Sequence, residues 1–111
     1  MLPSYPVAVL EYLDPGGRSP YAAWFEQLNA QAAAKVVVAL TRLAQGNFSN
    51  VKAIGRGVME YKIDFGPGYR VYFGKDGSRL VISLGGGTKH RQPNDIRTEQ
   101  MRWQDYKERK T

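Results

Sequence analysis

Cysteine is absent from the 111 residues, which excludes disulfides and thiolate metal sites and suits a reducing compartment. Long apolar runs are missing too. The opening MLPSYPVAVLEYL has no Lys or Arg before Arg18 and only a short apolar stretch, fitting neither a signal peptide nor a membrane-spanning helix. The expected location is therefore the cytoplasm. No G-x-x-x-x-G-K-[ST] phosphate loop, nucleophile elbow or recognisable carboxylate pair is present, and histidine occurs once, at His90. No metal cluster and no cofactor motif stands out. With no repeat, low-complexity tract or linker, residues 1–111 read as one domain, long enough to bury a core without staples.

Acidic residues are also few, 10 against 16 Lys and Arg, and the imbalance is uneven. In residues 1–50, Arg18, Lys35 and Arg42 are matched by Glu11, Asp14 and Glu26, so all of the net +6 falls in residues 51–111. A polyanionic partner, nucleic acid above all, is the natural reading of such a half.

The hydrophobic pattern changes period along the chain. Tyr5 to Leu13 alternates as a strand and stops at DPGG. Ser19-Pro20 then supplies an N-cap and a proline at the first helical position, followed by Tyr21, Trp24, Phe25 and Leu28 at helical spacing. After a break near Asn29, Ala33, Val36, Val37, Leu40, Leu43 and Ala44 form a second helical stripe, with Gly46 as its stop. These two helices form a hairpin, and their stripes are read as core.

From Val58 the period becomes two: VMEYKIDF, YRVYF and RLVISL, joined by GPG and GKDGS, predict three consecutive antiparallel strands. The glycines of GGGTKHRQPNDI are expected to end pairing, and Asn94 or Asp95 to cap a polar, loosely held C-terminal helix carrying Ile96, Trp103 and Tyr106. The expected fold is α+β, with the helical hairpin on one face of the sheet and the other face partly open.

On that open face the pleat gathers chemistry. If Tyr61, Val71 and Phe73 face the helices, then Lys62, Arg70 and Tyr72 share the opposite surface, where strands about 4.8 Å apart let side chains converge on one phosphate. The competing reading is an ordinary solvated face with Lys62 or Arg70 paired to Glu60 or Asp64. Tyr72 fits base stacking or a structural role equally. Lys89, His90 and Arg91 follow the last strand. His90 is either a plain surface residue or a proton carrier near neutral pH, as RNA cleavage by its own 2′-hydroxyl requires. That chemistry takes a base, an acid and cations on the phosphorane, without a metal.

The segments VMEYKIDFGPGYRVYF and LVISLGGGTKHRQPNDI resemble the RelE/ParE toxin superfamily, and most closely its HigB-like branch, the addiction-module killer proteins. The resemblance spans roughly Val7 to Tyr106. It implies a RelE-like, microbial-ribonuclease-like fold with an N-terminal strand, helical hairpin, antiparallel three-stranded meander and C-terminal helix. It also implies a type II toxin that cleaves mRNA in the ribosomal A site as a metal-independent endoribonuclease, restrained by a cognate antitoxin, expected to be a helix-turn-helix protein. Carried over by position, Arg70 matches the arginine on the scissile phosphate, Lys62 a basic residue activating the 2′-OH, and Lys89 a further phosphate-stabilising cation. Asp64 stands where such toxins can have a second lysine. No tyrosine closely follows Lys89, which leaves His90 or Tyr106 as the general acid. The catalytic set is thus Lys62, Arg70, Lys89 and His90, with Arg56, Tyr72, Arg79 and Arg91 as RNA contacts. Two other readings of the fold remain: a ParE-like gyrase inhibitor without chemistry of its own, and an inactive binding or regulatory module.

Overall fold

A computed structural model describes residues 7–78, 80–88 and 93–110. The elements run β1 (Ala8–Glu11), α1 (Pro20–Glu26), α2 (Ala30–Ala44), β2 (Val51–Gly55), β3 (Val58–Ile63), β4 (Tyr69–Asp76), β5 (Leu80–Thr88) and α3 (Pro93–Lys110). The fold is α+β, with a five-stranded mixed sheet in the order β1-β5-β4-β3-β2. Strands β2 to β5 pair antiparallel in succession, and β1 joins β5 in parallel at the edge. Among the described residues no helix is long and apolar enough to cross a membrane.

The helix signals act as the sequence suggests. The Ser19 hydroxyl accepts from the Ala22 N–H at 3.0 Å, with Pro20 in the first turn. Asn29 does the same for α2, accepting from the Ala32 N–H at 2.8 Å. Each bond satisfies an N–H that the helix leaves without an internal partner. Gly46 follows the end of α2 with φ +80°, a conformation that costs glycine little. From α2, Val36, Ala39 and Leu43 pack with Tyr21 onto Tyr61, Ile63, Val71, Phe73 and Val81 of the sheet. Val37, expected within the stripe, is instead half exposed beside Val38.

Three expectations for the sheet need correction. The meander has four strands rather than three, because β2 precedes it. In β2 the half-buried residues Val51 and Ile54 lie three apart and pack into different cores. The register shift between Ala53 and Gly55 is what breaks the period-two signal. Nor do the glycines end β5: Gly85, Gly86 and Gly87 pair with Tyr72, Val71 and Arg70.

The third correction concerns the second face. It is covered by α3, whose Trp103 joins Tyr12, Val58, Tyr72, Ile82 and Leu84 in a second core. Glycine is what lets the tryptophans approach. A Cβ built on Gly74 would stand 2.4 Å from the Trp103 ring, and one on Gly86 would stand 2.4 Å from the Trp24 ring on the other face. Such distances are far inside van der Waals contact, so each indole lies directly on strand backbone.

Two tyrosine–aspartate pairs fasten the C-terminal half of α3. Tyr12 donates to Asp105 at 2.7 Å, while Arg109 also binds Asp105 and the Leu13 carbonyl. Tyr106 donates to Asp76 at 2.7 Å, and Lys110 Nζ donates to the other carboxylate oxygen at 2.7 Å. The Asp76 carboxyl is held below its ordinary range by the Lys110 bond and then by Tyr106, and Asp105 by Arg109 and then by Tyr12. Tyr106 is pushed up to about 12, first by burial and then by the bond to Asp76.

Two predictions follow from this packing. Gly74→Ala is expected to destabilise the fold by about 1–3 kcal/mol, the usual cost of overpacking, read as a lowered denaturant midpoint. The aspartates, depressed in the folded state, contribute stability that is complete above the free Asp value of about 3.9 and is lost as pH falls through their folded values. Tyr106, raised in the folded state, contributes stability complete below the free Tyr value of about 10 and lost as pH climbs toward about 12. In a Trp24→Phe background, Trp103 emission is expected to report loosening at both ends of the pH scale. Asp76→Asn with Asp105→Asn is expected to flatten the acid limb and also to weaken the alkaline one, because the Asp76 carboxylate is one cause of the raised Tyr106 value.

Candidate functional site

Strands β3 and β4 set Lys62 directly opposite Arg70, and Glu60 opposite Tyr72, one pleat further along the same face. Tyr61, Val71 and Phe73 between them point into the helical core as expected. The Lys62 side chain is 58% exposed and that of Arg70 26%. The pleat therefore does bring this pair of cations together at the surface.

Both alternatives weighed for this face have some basis, because each cation has an acidic neighbour. Arg70 Nη1 donates to Glu60 Oε2 at 2.8 Å, and the Glu60 side chain is almost fully buried. Lys62 Nζ lies 3.8 Å from Asp64, an exposed pair of little energetic weight. The Arg70–Glu60 pair is different in kind, since a carboxylate buried beneath α3 needs its cation. Arg70 Nε is buried and has no hydrogen-bond partner among the described residues, so what the arginine can offer a ligand is the part of its guanidinium that remains exposed.

Tyr72 is not on an open surface. It is 1% exposed, inside the second core, so the expectation that it stacks on a base is replaced by a structural role. The reason is α3, which the thin apolar stripe led us to expect loosely held. Arg56 sits in the β2–β3 turn with φ +54°, at the end of β3 away from Lys62. Strand β5 ends at Thr88, and Arg79, Lys89, His90 and Arg91 lie outside the described residues. Tyr106, weighed as a general acid, donates to Asp76 at the far end of α3.

Beside Lys62 opens a cleft of about 400 Å³ between α2 and β3, lined by Lys35, Arg42, Asn50, Tyr61, Lys62 and Asp64 together with aliphatic side chains. Asn50 Nδ2 donates weakly to Tyr61 Oη at 3.4 Å. Lys35 and Arg42 were absent from the sequence-derived set because they occupy the polar side of α2, where charge at helical spacing is ordinary. Their approach to Lys62 is a tertiary fact. Lys35 Nζ also stands 5.4 Å from the centre of the Phe65 ring, within cation–π range. Among the described residues no group of three His, Asp or Glu side chains is placed to hold a metal ion.

The cluster thus offers a partly exposed arginine fork, a lysine opposite it and an adjoining cationic cleft. Such an arrangement can grip a phosphodiester and stabilise added charge on it. The chain matches no family model. An uncharacterized protein of Haemophilus influenzae is 41% identical to it over 78 residues, which cover 69% of this chain and 79% of that protein. By that measure the chain belongs to the same family as the Haemophilus influenzae protein.

Proposed function

We propose that the protein is a toxin of the RelE/ParE superfamily with a RelE-like fold, a ribosome-dependent endoribonuclease restrained by a cognate antitoxin. The observation that carries the proposal is the cross-strand pair of Lys62 and Arg70 beside a cationic cleft. Lys62 is the exposed member, suited to a reacting hydroxyl. Arg70, anchored by Glu60 and 26% exposed, offers the exposed part of its guanidinium to phosphate. The motif resemblance supplies the reaction class, and the basic second half of the chain suits ribosomal RNA as well as messenger. Lys89 and His90 complete the proposed catalytic set.

A defined messenger on purified translating ribosomes tests this. Cuts at the A-site codon that require ribosomes are expected, and Lys62→Ala is expected to lower their rate about 100-fold, the scale of losing one group that acts on the transition state. Absence of cleavage despite toxicity on expression, with DNA supercoiling impaired, would transfer the proposal to a gyrase inhibitor. Absence of toxicity would leave a binding module.

Arg70 needs a more careful variant. Arg70→Ala strands the Glu60 carboxylate under α3, and a cost of about 1–3 kcal/mol is expected after discounting for the partial exposure of the arginine. Paired replacement, Glu60→Gln with Arg70→Gln, is expected to restore much of that stability while cleavage stays lost. Thermal melts alongside the ribosome assay separate the two effects.

A further inference from the structure

A second basic feature lies at the other end of β3. The groove between the β2–β3 turn and the outer side of α3 has a volume of about 440 Å³ and is lined by Arg56, Arg97, Gln100, Met101, Gln104 and Lys107. Three of these six are cations and none is a carboxylate. Strand β3 leaves the turn at Val58 and reaches Lys62 only about 13 Å further on, so the groove is not part of the Lys62–Arg70 cluster.

The α3 residues are all on one side of the helix. At 100° per residue, positions 97, 100, 101, 104 and 107 fall within about 120° of arc, and Arg97 and Lys107 are separated by about 15 Å of helix rise. That span matches a few consecutive phosphates of a nucleic-acid strand. Arg56 faces them across the groove from the turn. Lys107 Nζ lies 5.9 Å from the centre of the Trp103 ring, which steadies its stem against the helix.

The two glutamines indicate which anion. Gln100 Nε2 donates to the Ile54 carbonyl at 3.2 Å, and Gln104 Nε2 donates to Glu108 at 3.0 Å. Those bonds fix the nitrogen end of each amide and leave its carbonyl oxygen as an acceptor. A phosphate or a carboxylate offers no donor to such an oxygen, whereas a ribose 2′-hydroxyl does. We infer that this groove is a binding track for the backbone of an RNA strand, with Arg56, Arg97 and Lys107 on phosphates and Gln100 and Gln104 on 2′-hydroxyls. It is a foothold separate from the Lys62–Arg70 site, and it stands whether or not that site cleaves RNA.

A fluorescein-labelled RNA strand of 20 nucleotides and the DNA strand of the same sequence are the probes, with binding read by anisotropy across a KCl series. Arg56→Glu and Lys107→Glu are each expected to weaken RNA binding at least about 10-fold and to reduce the salt slope by about 1. Arg18→Glu makes the same change in net charge on the loop before α1 and is expected to shift affinity less than about 2-fold. Wild type is expected to prefer RNA over DNA by at least about 5-fold, and Gln104→Leu to shrink that preference. Circular dichroism melts verify that each variant is folded. Equal losses in Arg18→Glu and the groove variants would overturn the track in favour of bulk charge. Equal affinity for the two strands would overturn its assignment to RNA.

Discussion

The indole of Trp103 resting on the backbone of Gly74 is the contact on which the rest of the molecule depends. It brings α3 against the sheet closely enough to close the second face, burying Val58, Tyr72, Ile82 and Leu84 beneath it. Burying a tryptophan removes about 150–250 Å² from water, roughly 4–6 kcal/mol as an upper figure. Gly57 accommodates the edge of the same ring, with its built Cβ 2.7 Å from Nε1. On the other face, Trp24 meets Gly86 in the same way. The sheet is therefore clamped between two indoles. Because α3 also places Arg102 against Glu99 over Gly85, the face beside Arg70 is part of an interior rather than an open platform.

Much of this order is written in local chemistry. Ser19-Pro20, Asn29 and Gly46 mark helix ends through bonds they make within a few residues, so they read correctly without tertiary context. The opposition of Lys62 and Arg70 was legible for a similar reason: a short hairpin and a period of two fix which residues share a face. What could not be read depends on distant partners. Gly85 and Gly86 look like a strand ending until the facing tryptophan and the α3 side chains supply a reason for having no Cβ. The same partners explain Tyr72, whose burial is decided by a helix about thirty residues downstream. In β2, a bulge erased the alternation that would have announced it. Lys35 and Arg42 carry no local sign of their place beside Lys62.

The charge around Arg70 has a consequence for how a phosphate is held. Lys62 and Arg70 stand with Asp64 and Glu60, two cations with two acids, so this inner cluster is electrically balanced. Net attraction of an RNA strand cannot arise there and must come from cations further out, such as Lys35 and Arg42 in the adjoining cleft. What the inner cluster supplies is direction. Glu60 engages one nitrogen of the arginine fork and fixes its plane before any ligand arrives, while Nε is turned inward and buried. A phosphate oxygen that met the exposed part of the guanidinium would then add to the Glu60 bond without having to break it. Long-range capture and local orientation are divided between different residues, and only the second depends on the buried carboxylate.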